Sequence, residues 1–170
     1  MPLTFPDHTI DTAPSEATAT LTRVASSFGG QLPAAVARMA EAPELLDAFL
    51  TASRLFQGSD LTPLEQEVLI LTVALRNRCE VCVEMHTATL RRLGHGDLEP
   101  TLRDGDDLDD PRLSALQYFT HQVMDSAGGV TDADLASFAD AGFTSRQALD
   151  VVLGVGAYTL STFANRLTRA

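Results

Sequence analysis

Two cysteines, a histidine and a glutamate are the residues of this sequence best placed to do chemistry together. Cys79 and Cys82 are the only cysteines among 170 residues; they stand three apart, and His86 follows Cys82 by four. On an α-helix, positions three, four and seven apart lie on or beside one face. A helical segment here therefore brings both sulfurs and the imidazole into one small volume. A thiol becomes a reactive thiolate beside a base or a positive neighbour, and a second thiol one turn away can trap the oxidised first one as a disulfide. That is the arrangement of a dithiol redox centre. Two other readings use the same residues. One is inert packing. The other is zinc held by Cys79, Cys82 and His86 with His95 or His121 as a fourth ligand, although structural zinc commonly draws on two knuckles and no second cysteine pair exists.

Glu67 stands twelve residues before Cys79, where a buried helix is expected to begin. On spacing alone it is either a partner of the helix dipole or a member of the site. His8, His95 and His121 read as surface or loop residues, and Tyr118 and Tyr158 as core or pocket-lining.

The elements that must hold these residues are legible from caps and apolar periodicity. Residues 1–14 contain three prolines and no period, and read as an extended arm ahead of a single domain over residues 15–170. Helices are expected from about Ser15 to Ser27, from Pro33 to Ala40 and from Glu44 to Phe56. Thr62-Pro63-Leu64-Glu65 is a capping box with proline at the first helical position, which gives Glu65 a structural task and leaves Glu67 without one. The run Val68 to Leu75 is apolar almost all round, so its helix should be buried.

Arg76-Asn77-Arg78 reads as a break before a helix from Cys79 to Leu93, whose positive end would favour a thiolate. His95 to Asp110 is rich in Gly, Asp and Pro and reads as an acidic surface loop that can hold one helical turn. Helices follow from Asp110-Pro111 to Ser126, from Thr131 to Ala141, and from Thr144 to Thr168. The last has an expected inward stripe of Ala148, Val151, Val152, Val155, Thr159 and Phe163, with Gly154 and Gly156 as a smooth patch for a neighbouring helix or subunit. No period-2 strand is visible. The expected fold is all-α, a single-domain bundle of about seven to eight helices. A thioredoxin-type site, which needs strands, does not fit.

Composition narrows the partners. A net charge of −11 argues against nucleic acid and anionic membranes. The sequence opens without a basic or apolar leader, and Val68 to Leu75 is far shorter than the ~20 residues that span a bilayer. The expectation is a cytoplasmic protein, a compartment in which a C-x-x-C pair is redox-active or metal-binding more often than structural.

Glu67, eleven intervening residues, and then Cys79-x-x-Cys82-x-x-x-His86 together resemble the signature of the alkylhydroperoxidase D-like family, within the carboxymuconolactone decarboxylase superfamily. The similarity extends over the helix from Glu67 to Arg78 and, more weakly, to Tyr158 through Arg166. The resemblance implies a peroxidase without cofactor or metal. Cys82 would be the peroxidatic thiolate, His86 and Glu67 its proton relay, and Cys79 the thiol that closes the disulfide. It implies a peroxide substrate, a lipoyl-bearing or thioredoxin-like dithiol protein as electron donor, and a homo-trimer or homo-hexamer. Alkylhydroperoxidase D proper has a histidine before the second cysteine, where this chain has Val81, which implies a shorter relay. Three other functions compete. Val81 motivates a disulfide reductase or redox relay with weak peroxide activity. A lactone decarboxylase like the superfamily's namesake would not depend on a cysteine pair. A zinc or redox sensor would be non-enzymatic.

Overall fold

The computed structural model describes residues 3–170. Met1 and Pro2, the first residues of the expected arm, lie outside the described residues. The chain forms α1 (Ser15–Ser27), α2 (Ala34–Met39), α3 (Pro43–Gln57), α4 (Pro63–Arg76), α5 (Glu80–Arg92), α6 (Leu98–Asp104), α7 (Pro111–Asp125), α8 (Asp132–Asp140) and α9 (Ser145–Thr168). No strand occurs among the described residues. The all-α expectation holds.

The fold is built round α4. Thr62 Oγ1 accepts from the Glu65 amide while Glu65 Oε2 accepts from the Thr62 amide, so both halves of the capping box form. Glu65 also accepts from Arg112 Nε at 2.6 Å, which ties the start of α4 to α7. Every residue from Val68 to Ala74 is buried, because α5, α7 and α9 pack round the helix and α3 closes another side. One apolar cluster joins α3, α4, α7 and α9 through Phe56, Leu69, Leu116 and Val151. A second lies beneath the cysteine pair, with Val68, Leu71, Val83 and Leu90. A third joins α1, α2 and α3 through Leu21, Val36, Met39 and Leu46.

Residues 3–14 carry neither helix nor strand and include a turn at residues 10–12. Ile10 and Ala13 pack on the third cluster, and Asp7 accepts from Arg38 Nε at 2.6 Å. Among the described residues no helix is long and apolar enough to cross a membrane.

Two details differ from the sequence expectation. Nine helices are present among the described residues, because the segment read as a loop contains α6. Leu102 is buried and Leu98 packs beside it under α5; Gly105 ends the helix in the left-handed conformation. The density of Gly, Asp and Pro hid a two-leucine, i,i+4 anchor.

The stripe of α9 is also rotated. Val151 is buried, but Val152 and Phe163 are exposed, while Ser161, Thr162 and Asn165 face inward. Both faces of α9 carry apolar residues, so periodicity alone could not choose between them. The two glycines part company as well. Gly156 faces open space, whereas a Cβ on Gly154 would come within 2.6 Å of Phe56 and 2.7 Å of Leu69. Both of those side chains are fully buried and have nowhere to go. Gly154→Ala should therefore destabilise the protein by roughly 1–2 kcal/mol, because overpacking outweighs the gain in helix propensity. Thermal unfolding of the variant checks this; an unchanged or raised Tm would contradict it.

Candidate functional site

The site forms where the end of α4, the start of α5 and the inner face of α9 converge. α4 stops at Asn77, whose side-chain amide donates to Thr162 Oγ1 of α9 at 2.9 Å. Arg78 then adopts a left-handed conformation, φ 55°, uncommon for a residue with a side chain. This turn redirects the chain, so that Cys79 becomes the N-cap of α5. Cys79 therefore sits at the helix boundary and Cys82 in the first turn. Both lie at the positive end of α5, where an anionic sulfur is favoured.

The two cysteines are joined as a disulfide, with Cα atoms 5.3 Å apart. Both are buried, Cys79 at 2% exposure and Cys82 at 5%. They differ in what they face. Cys82 lines a cleft of about 1100 Å³, and Cys79 does not. His86, one turn further along α5, lines the same cleft. Its Nδ1 is 2.8 Å from Glu67 Oε2. With Nδ1–H donating to the carboxylate, Nε2 is left as the unprotonated ring nitrogen, able to take a proton. Glu67 reaches His86 from the first turns of α4 and is itself largely buried. All four sequence-predicted site residues, Glu67, Cys79, Cys82 and His86, are brought together.

The other histidines are not. His8 bonds Glu41, just beyond the end of α2, at 2.6 Å. His95 is exposed after α5. His121 lies half-buried on α7, where burial lowers its proton affinity below the ordinary histidine value. Among the described residues no group of three or more His, Cys, Asp or Glu is arranged to hold a metal ion. Val81 packs against the apolar cluster beneath the cysteines, and it offers no proton.

Asn165 and Ser53, absent from the sequence-predicted site, join it, as does Tyr158, which the sequence reads as core or pocket-lining. Asn165 Nδ2 donates to Cys82 Sγ at 3.2 Å, and its buried Oδ1 has no hydrogen-bond partner within the protein. Tyr158 meets the His86 ring edge to face, centroids 5.4 Å apart, and its hydroxyl shares a 3.2 Å hydrogen bond with Ser53. Burial pushes the Tyr158 hydroxyl above the usual tyrosine value, with the Ser53 hydrogen bond opposing and the Glu67 charge adding to the rise. It therefore stays a neutral hydroxyl at physiological pH. Tyr158, Ser161 and Asn165 lie three and seven apart on α9, and this polar periodicity was the available signal.

Residues 40–99 match the model of the Carboxymuconolactone decarboxylase family. That span takes in α3, α4 and α5 with Glu67, both cysteines and His86. No curated relative matches the sequence. Two solved structures share the fold at low identity. One, described as an alkylhydroperoxidase AhpD core and an uncharacterised peroxidase-related protein from Ralstonia eutropha JMP134, is 23% identical over 98% of this chain and 90% of that one, with a TM-score of 0.81. The other, an uncharacterised peroxidase-related protein from Silicibacter sp. TM1040, is 23% identical over the same shares, with a TM-score of 0.79. Residues 40–99, which carry the motif, are thus similar to the Carboxymuconolactone decarboxylase family, and the chain as a whole shares the fold of an alkylhydroperoxidase AhpD core.

Proposed function

We propose that the protein is a thiol peroxidase that reduces alkyl hydroperoxides or hydrogen peroxide through the Cys79–Cys82 pair. The observation that carries this reading is the asymmetry of the pair: Cys82, and not Cys79, opens into the cleft beside His86.

In the reduced protein His86 Nε2 takes the Cys82 proton, while Glu67 holds the ring and offsets the charge that forms on it. The Cys82 thiolate attacks the outer oxygen of the hydroperoxide. An S–O bond forms, the O–O bond breaks, and the departing alkoxide takes the proton from His86 to leave as an alcohol. The Cys79 thiol then displaces hydroxide from the Cys82 sulfenic acid, so that an S–S bond forms and water leaves. An external dithiol returns two electrons and two protons by thiol–disulfide exchange through a mixed disulfide. A lipoyl-bearing or thioredoxin-like protein would supply them. The sum is one hydroperoxide and one dithiol converted to alcohol, water and one disulfide.

Asn165 adds a donor aimed at the sulfur that carries the negative charge. A hydrogen bond to the charged form favours it, so Asn165→Ala should raise the Cys82 thiol pKa and slow its oxidation by roughly tenfold. The thiolate absorbance of the reduced variant, titrated against pH, reads this directly. An unshifted titration would remove Asn165 from the mechanism.

Steady-state turnover tests the whole reading. Hydroperoxide loss should match dithiol oxidation one for one with dihydrolipoamide as donor. Dithiol-dependent disulfide exchange without peroxide turnover would favour a protein disulfide reductase instead, a reading for which Val81 is the motivating residue. The exposed apolar face of α9, with Leu149, Val152, Phe163 and Leu167, is of the kind that mediates association, and the working state proposed is the homo-trimer or homo-hexamer that the family resemblance implies.

A further inference from the structure

The cleft that reaches Cys82 is much larger than hydrogen peroxide needs, and its lining has a consistent chemistry. Its walls are apolar, with Val24, Val36, Met39, Phe49, Leu50 and Met85 drawn from α1, α2, α3 and α5. Its volume of about 1100 Å³ is slightly above the range, ~300–1,000 Å³, typical of sites that hold whole organic ligands. Every charged side chain on it is an arginine: Arg23 on α1, Arg54 on α3 and Arg92 on α5. Asp and Glu make up 23 of the 170 residues, yet none lines the cleft. The sign of the surface is reversed there.

The three arginines are also uncommitted. Arg38, Arg76, Arg103, Arg112 and Arg146 each pair with a carboxylate. Arg23, Arg54 and Arg92 have no carboxylate partner among the described residues; Arg23 and Arg92 touch only the hydroxyls of Thr20 and Thr89. All three are exposed, whereas Cys82, Tyr158 and Asn165 at the inner end are buried. Charge sits at the mouth and sulfur at the floor. The register of α5 sets the distance between them. Cys82, His86, Thr89 and Arg92 run along one face of the helix, and the ten-residue rise from Cys82 to Arg92 is roughly 15 Å.

We infer that the substrate is an amphipathic carboxylate, a hydroperoxide of the long-chain fatty-acid type. Its carboxylate meets the arginines, its chain lies on the apolar wall, and its hydroperoxide reaches Cys82. The identity of the reacting group rests on the peroxidase reading; the ligand class does not. Arginine suits this task because its planar fork pairs with a carboxylate through two parallel hydrogen bonds. The local reversal of sign is what lets an anion approach a protein of net charge −11.

The test uses calorimetric titration of the oxidised protein with decanoate and with 1-decanol, which share a chain and differ in the head. Decanoate should bind roughly tenfold more tightly, with an affinity that falls as salt is added. The preference should vanish in R23Q/R54Q/R92Q, and R54Q alone should lose part of it; circular dichroism verifies that each variant is folded. Equal or tighter binding of the alcohol, or a preference that survives the triple substitution, would overturn the inference. A second readout compares kcat/KM for a fatty-acid hydroperoxide and its methyl ester, expected to differ by roughly tenfold in the same direction. Arginine-dependent decanoate binding without any peroxide turnover would leave the ligand class standing and remove the peroxidase. Peroxide turnover indifferent to the carboxylate, with no arginine-dependent binding, would do the reverse.

Discussion

Cys82→Ser should end hydroperoxide consumption, with a loss on the order of 10³-fold or more, as expected when a covalent nucleophile is removed. Cys79→Ser should behave differently. With Cys82 intact, it should consume one equivalent of hydroperoxide and stop at the sulfenic acid, because no neighbouring thiol can close the disulfide. The pair of variants thus separates attack from resolution. Peroxide consumption in a single burst, followed by trapping of the sulfenic acid with a dimedone-type reagent and intact mass, reads both. The opposite pattern, with Cys79 trapped and Cys82 dispensable, would reverse the roles and contradict the access argument from the cleft.

The assignment of those roles shows how far the primary sequence reaches. Spacing of three and four places Cys79, Cys82 and His86 on one helix face because helical geometry is local. Glu65 and Glu67 were separable for the same reason. The capping box accounts for the first without any knowledge of the fold, and both of its hydrogen bonds are present. That the second faces His86 across α4 and α5 is a tertiary fact, which only the resemblance to a known motif brought within reach.

Where the sequence misled, competing local signals were at fault. Leu98 and Leu102 lie among helix breakers, so the sequence suggests one helical turn where α6 runs for seven residues. On α9 the apolar residues surround the helix, so periodicity turns Phe163 inward and gives no weight to Asn165. The cleft itself draws on residues from Arg23 to Asn165. No one-dimensional pattern marks a surface assembled from five helices.

Glu67→Gln is expected to slow oxidation of the reduced protein by about 10²-fold or more, within the range for loss of a general acid–base partner. The hydrogen bond to His86 Nδ1 can survive in the amide, but the charge that balances the protonated imidazole cannot. Glutamine also offers its NH₂ as readily as its oxygen, and an NH₂ facing Nδ1 would impose the wrong tautomer. Glu65→Gln provides the contrast two residues away. It weakens the tie to Arg112 and half of the cap, and should cost roughly 1–3 kcal/mol of stability with little effect on the rate. Denaturant unfolding and rapid-mixing oxidation, run on both variants, distinguish the two glutamates. Equal rates for Glu67→Gln and the unmodified protein would take Glu67 out of the relay and return it to the role of a dipole partner.

The central claim is that a dithiol is activated by its surroundings to reduce a peroxide, and one measurement addresses it most directly. The protein is fully reduced, freed of reductant and mixed with a hydroperoxide in a stopped-flow instrument, and its intact mass is recorded when the reaction is complete. Oxidation far faster than that of free cysteine, ending about 2 Da below the reduced mass as one disulfide forms, is the expected result. Oxidation no faster than that of a free thiol would contradict the peroxidase and turn attention to disulfide substrates.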